Sequence, residues 1–276
     1  MQALDLRKAG SHVRLYLVFY VALLCAAFTI TVYYPGYMSP DSVIQLGQAR
    51  NGVNDNLYPP VMDYIWSATD RVLPGPAGML VLQNAVFWYA LALLAFVVVA
   101  RPLWQVVFVL LAGSWPPTYC TLGTIWKDVG MQAFLLASLA AMLYAPYRRR
   151  VWPLGIAVLC LFLAAGYRHN GIAAAPPLLA LCMLELALLV PQRLPRLDAY
   201  LRKRTLVRAF YPILGLLCLA VTLGTLDFVN NYHKVNSRLW GYFMLHDLAG
   251  ISVQQNAKYL PDYIDPTNEI SAGDLK

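Results

Sequence analysis

Residues 13–34 read VRLYLVFYVALLCAAFTITVYY. One charge, Arg14, stands at the start of the run, and the remainder is unbroken apolar sequence with two threonines near its end. At 1.5 Å per helical residue such a run spans the roughly 30 Å hydrocarbon core of a bilayer. Tyr33 and Tyr34 close it, where aromatic rings favour the membrane–water boundary. Arg7, Lys8 and Arg14 lead into it, as they would into a signal peptide, but the apolar stretch is long and no small-residue cleavage site is clear. The run reads as an uncleaved first transmembrane helix.

Six further apolar runs lie downstream. The seven spans lie near 13–34, 78–100, 103–121, 125–145, 151–167, 171–191 and 209–227. The fold class expected is therefore all-α: a polytopic transmembrane helix bundle of about seven spans. Composition agrees. Of 276 residues, 59% are hydrophobic and 13% charged, against about 25% charged in ordinary soluble domains. Mean hydropathy is +0.54. The net charge of +7 comes from basic residues in the loops between apolar runs, a pattern that sets orientation and contacts anionic membrane lipid. No nucleic-acid partner is expected. Cys25, Cys120, Cys160, Cys182 and Cys218 lie within or beside apolar runs without a CxxC pair, so neither a disulfide framework nor a zinc site is indicated.

With the N-terminus cytoplasmic, thirteen basic residues fall on the inner side, among them Arg14, Arg101, Arg148, Arg149, Arg150, Arg193, Arg196, Arg202, Lys203 and Arg204. Most acids fall outside, and the alternation holds at every loop. The expected location is a multi-pass protein of a bacterial inner membrane. Residues 1–227 form the expected transmembrane domain, with a large outer loop at 35–77. Residues 228–276 form an outer polar segment punctuated by Pro261, Pro266 and Gly273, read as the start of a further region.

The first outer loop has a readable internal order. Ser39 is a natural N-cap, Pro40 a natural first helical residue and Gly52 a natural stop, so 40–50 predicts a short surface helix with Asp41 in its first turn. That position suits the helix dipole, and it equally displays a carboxylate where a substrate head group would sit. After Asp55 comes Tyr58-Pro59-Pro60, then a second amphipathic stretch from Val61 to Asp70 that also reads as interfacial.

A first transmembrane helix, an acidic residue soon after it, two short surface helices and an aromatic-Pro-Pro element resemble the GT-C superfamily of membrane glycosyltransferases. The protein mannosyltransferases and aminoarabinose transferases belong to it. The resemblance covers residues 13–100 best, and many relatives have His-Pro-Pro where this chain has Tyr58-Pro59-Pro60. It implies a polyprenyl-phosphate sugar as donor and chemistry on the outer side of the membrane. It also implies a first-loop carboxylate acting as general base or metal ligand. Asp41 matches that position. Asp55 is the second candidate, and it joins Tyr58 as a substrate contact.

Charge also stands at the outer ends of later spans. Lys127 and Asp128 open the fourth span, and Arg168-His169-Asn170-Gly171 tip the hairpin between the fifth and sixth. Lys127 and Asp128 read either as a helix start or as site residues. Lys127 and Arg168 are candidate phosphate contacts, the guanidinium by bidentate recognition. His169 is a candidate titrating contact, while Asn170-Gly171 reads as turn chemistry. Asp128 with Asp41 is the candidate pair for a divalent metal ion. Tyr232-His233-Lys234 and His246-Asp247 read as surface or packing residues, and Glu185 inside the sixth span is expected to find a polar partner such as Gln83 or Asn84.

Asp41, Lys127, Asp128, Arg168 and His169 thus come from three loops placed at one membrane level. The expected function is a membrane glycosyltransferase moving a sugar from a polyprenyl-phosphate donor to an acceptor on the outer face. The alternatives are a transporter or flippase of a lipid-linked intermediate, and a non-catalytic membrane assembly subunit.

Overall fold

The computed structural model describes residues 2–55, 58–193, 207–231, 234–235, 239–255 and 259. The chain packs as two units, 1–54 with 58–233, and 55–57 with 234–276. The last long helix of the first unit runs on to Asn231.

The first unit is helical. Its elements are α1 (Gln2–Tyr33), α2 (Pro40–Asn51), α3 (Pro60–Asp70), α4 (Ala77–Val98), α5 (Pro102–Gly113), α6 (Pro116–Leu122), α7 (Lys127–Arg148), α8 (Trp152–Tyr167), a 3-10 turn at His169–Ala174, α9 (Ala175–Arg193) and α10 (Val207–Asn231). The second unit contains α11 (Leu239–Gln255), whose Ser252 Oγ accepts from Tyr259 N at 2.9 Å. Among the described residues the only strands are the two-residue pieces Asn54–Asp55 and Lys234–Val235. The all-α expectation holds.

Five helices are long and apolar enough to cross a membrane: Val13–Tyr33, Ala77–Val98, Lys127–Arg148, Asn170–Leu189 and Phe210–Val229. Large apolar side chains face outward on them and their neighbours, including Phe28, Leu111, Leu216 and Phe228. Such exposure is unfavourable in water and is what a lipid-facing surface requires. The protein is thus compatible with an integral membrane protein.

Two expected spans are shorter helices, α5 and α8. The stretch expected as one span at 103–121 breaks after Gly113, because Pro116 and Pro117 open a new helix and cannot continue the old one. The two pieces still traverse the bundle together. At one end Arg14 Nη1 donates to Ala100 O at 2.7 Å. At the other, Tyr37 N donates to Gly123 O and Ile125 N to Tyr37 O, both at 2.9 Å. The chain from Ala100 to Gly123 therefore covers the same rise as α1 from Arg14 to its end.

Where α6 ends and the chain turns into α7, carbonyls fall outside the helical ladder, inside a bundle where unpaired polar groups are costly. Gln83 Nε2 donates to Leu122 O and Thr124 O at 3.2 and 3.0 Å, and Asn84 Nδ2 to Leu122 O at 3.0 Å. The sequence pairs these amides with Glu185. The structure uses them instead to hold the turn between α6 and α7. α7 lies at the centre, packed on α4 and α8, with α1 beyond α4 and α9 beyond α8. Gly130 lets α7 approach α8 until the ring of Tyr167 lies where a side chain at 130 would stand.

The second amphipathic stretch does not lie open at an interface. Trp66 and Met62 of α3 are fully buried, Asp63 is nearly so, and the helix packs on α4 and α8. Gly166 accepts Val61 at a distance that leaves no room for a Cβ. An apolar stripe at helical spacing reads alike whether it meets lipid or protein, and here it meets protein. Arg196, Arg202, Lys203, Arg204, Pro261, Pro266 and Gly273 lie outside the described residues, as do Tyr232 and His233 and the side chain of His246.

Candidate functional site

The site begins with the cap of α2. Ser39 and Ser42 form a capping box, with Ser39 Oγ accepting from Ser42 N and Ser42 Oγ from Ser39 N, both at 3.3 Å. Pro40 occupies the first turn, and Gly52 closes the helix in the left-handed region at φ 68°. The expected helix is present with its expected ends. Ser42 Oγ also donates to Ile125 O at 2.6 Å. With the Tyr37–Thr124 bridge, this fastens the start of α2 beside the segment that leads into α7. Asp41, second residue of α2, then faces Lys127, first residue of α7.

Asp41 Oδ2 lies 3.6 Å from Lys127 Nζ. The carboxylate is 56% exposed and the ammonium 20%. Lys127 Nζ also stands 4.3 Å from the centroid of the Tyr58 ring. A cation over a buried aromatic face gains about 1 kcal/mol or more, so the tyrosine of Tyr58-Pro59-Pro60 steadies Lys127 from below. Asp128, one residue further along α7, pairs through Oδ1 with Arg168 Nη1, which caps α8. Both of these side chains are about one-third exposed.

These groups surround a cavity of about 240 Å³ lined by Asp41, Gln45, Trp126, Lys127, Asp128 and Arg168. Asp41, Tyr58, Lys127, Asp128 and Arg168, taken from separate loops in the sequence, therefore meet. Two wall residues carried no such signal, Gln45 and Trp126. The spacing from Asp41 to Gln45 is one helical turn, which places both on the same face of α2. Beneath them lies Asp63, 2% exposed, with Oδ1 at 3.5 Å from Gln45 Nε2. Its apolar neighbours hid it as a surface acid.

His169 follows Arg168 at the start of the 3-10 turn, and its side chain lies outside the described set. Asp55 belongs to the second unit, and its side chain is likewise outside that set.

The donors fit a divalent metal poorly. Asp41 and Asp128 are the cavity's two carboxylates, and each already faces a cation. Among the described residues no three His, Cys, Asp or Glu side chains come together as a ligand set. A hard divalent cation wants six or more oxygens and tolerates adjacent positive charge badly. The arrangement suits an anion better. A phosphate offers several acceptor oxygens to Lys127 and Arg168. It also meets the first turns of α2 and α7, whose dipoles favour negative charge.

Compared with protein-family models, curated proteins and solved structures, the chain matches none.

Proposed function

We propose that this protein is a membrane glycosyltransferase that takes a sugar from a polyprenyl-phosphate donor. Transfer to an acceptor hydroxyl takes place on the non-cytoplasmic face of a bacterial inner membrane. The observation that carries this reading is the single cavity in which Asp41, Lys127, Asp128 and Arg168 converge at one end of an apolar helix bundle. The distribution of basic residues supports the orientation: Arg14, Arg101 and Arg148 to Arg150 sit at the opposite end.

The chemistry follows from the pairings. An ion pair at 3.6 Å with a half-exposed carboxylate contributes about 1 kcal/mol or less. An arriving phosphate displaces Asp41 from Lys127 and takes its place, while Tyr58 keeps the ammonium where it is. The released carboxylate then accepts the proton of an acceptor hydroxyl. The hydroxyl oxygen bonds to the anomeric carbon, the bond from that carbon to the phosphate oxygen breaks, and the leaving phosphate keeps the electron pair. Lys127 and Arg168 stabilise that charge.

The test is Asp41→Asn, assayed in membranes for transfer of radiolabelled sugar from polyprenyl phosphate. The variant is expected to fold and to lose transfer by a factor of about 100 or more, the usual worth of a positioned base. Full activity discards the assignment. A second reading has one observation in its favour: the crossing broken between α5 and α6 is the kind of discontinuity that transporters use. Movement of a lipid-linked sugar across proteoliposomes without transfer would select it. Unchanged behaviour of the Asp41, Lys127 and Arg168 variants in both assays would select a non-catalytic assembly subunit.

A further inference from the structure

The opposite end of the bundle carries a second set of cations, built on aromatic rings. Arg14 lies 5.9 Å from the centroid of the Phe96 ring, and Phe96 meets Tyr147 edge-on at 5.3 Å. Tyr147 stacks on Tyr144 at 6.3 Å, Arg148 stands 6.0 Å above Tyr144, and Tyr144 meets Trp152 edge-on at 6.4 Å. Helices α1, α4, α7 and α8 thus share one platform of alternating rings and guanidinium groups. Arg148, Arg149 and Arg150 are all exposed. Among the described residues no carboxylate pairs with Arg14, Arg148 or Arg150.

Two apolar grooves adjoin this platform. One, about 400 Å³, lies between Tyr16 and Phe19 of α1 and Tyr144, Trp152 and Ile156. The other, about 630 Å³, lies on the far side of the same two α1 residues, against Leu23 and Tyr89. Tyr16 and Phe19 form the ridge between them, and Phe19 is stacked on Tyr89 at 5.8 Å. Two apolar grooves divided by a ridge, beside cations that no carboxylate among the described residues pairs with, suit a two-chained amphiphile with a negative head.

We propose that this end of the bundle holds one anionic diacyl phospholipid, its phosphate on Arg148 and Arg150 and its chains on either side of the Tyr16–Phe19 ridge. Charge complementarity selects an anionic headgroup over a zwitterionic one, because each arginine within a Debye length of the surface adds to the attraction. The rings keep the guanidinium groups at the boundary where the phosphate lies. The site is at the far end of the bundle from the Asp41 cavity and stands independently of the transferase reading.

The test uses the full chain in a mild non-ionic detergent. It is equilibrated with equal amounts of phosphatidylglycerol and phosphatidylcholine of matched chains, and the adducts are counted by native mass spectrometry. The wild type is expected to retain the anionic lipid preferentially. Arg148→Gln with Arg150→Gln is expected to cut that preference about thirtyfold, five- to sixfold for each arginine removed. Both residues are exposed, so the fold is expected to survive, and Arg148→Lys with Arg150→Lys keeps the charge and most of the preference. Ile156→Trp, which fills one groove, is expected to lower retention of both lipids. Equal retention of the two lipids by the wild type overturns the proposal, as does a preference that persists in the Gln variant. Indifference to Ile156→Trp, or displacement of the lipid by an equal concentration of chain-free glycerol phosphate, removes the grooves from it and overturns the two-chain site.

Discussion

Replacing Gly130 by alanine is expected to damage both the stability of the bundle and the candidate site. A Cβ at this position would lie 2.5 Å from Tyr167 Cδ1 and 3.2 Å from Cζ, with Cε1 nearer still. Ordinary carbon contacts are about 3.5–4.0 Å, so the ring or the helix must retreat by about 1 Å. The ring has little freedom to do so. Tyr167 is 1% exposed and packs against Phe134 with centroids 5.4 Å apart. Overpacking of this kind costs about 1–3 kcal/mol, which at roughly 2–4 °C per kcal/mol for a chain of this size lowers Tm by about 2–12 °C. Tyr167 immediately precedes Arg168, and Gly130 lies two residues after Asp128, so the strain falls on the pair that closes the cavity. Sugar transfer should fall along with Tm. The matched control is Gly155→Ala in α8, where an added Cβ meets nothing within 4 Å. That change should leave Tm level or raise it slightly, since alanine is the better helix former. Thermal unfolding of both variants in one detergent decides the matter. If Gly130→Ala melts together with Gly155→Ala, the close approach of α7 to α8 is not as described.

Ser42→Ala keeps the Ser39 cap but removes the reciprocal half of the capping box and the tether to Ile125 O together; a loss of about 1–2 kcal/mol is expected in the same melt, with a larger relative fall in transfer. Tyr58→Leu is expected to lower transfer more than Tyr58→Phe, because only the ring face supports Lys127, and assay of the two variants side by side checks this. Asp70 accepts from Arg50 Nε and Nη2, each at 2.9 Å, and from Gly75 N at 2.6 Å. The Arg50 hydrogen bonds chiefly, with that of Gly75, hold its carboxyl below the usual range. The stability so gained is complete above the unfolded value, about 3.9, and is lost as pH falls through the lower folded one. Wild type should therefore lose this contribution in acid, and Asp70→Asn should show a shallower dependence in melts taken across that window.

Much of the architecture was legible because a bilayer imposes it. Apolar runs such as 13–34 and 78–100 have one physical meaning at that length, and the alternation of loops then places Asp41, Lys127, Asp128 and Arg168 at one level. The stretch 103–121 was legible in part: Trp115-Pro116-Pro117 marks a turn, but average hydropathy does not show that a new helix, α6, starts there. The burial of α3 was hidden for another reason: its stripe of Val61, Met62, Ile65 and Trp66 satisfies a lipid surface and a protein core equally. Gln45 and Trp126 escaped notice because neither carries a charge. What brings them to the cavity is the tether between Ser42 and Ile125, a contact over 83 positions that no local pattern encodes.

The charges around the cavity cancel, two carboxylates against two cations. An empty pocket of that kind exerts little pull at a distance, so the many phosphate headgroups of the surrounding membrane are not drawn in to block it. Only a molecule able to reach in and replace the resident carboxylates experiences the full strength of Lys127 and Arg168. Selectivity in such a pocket resides in the swap of partners rather than in attraction, and saturating it with simple salts should prove difficult.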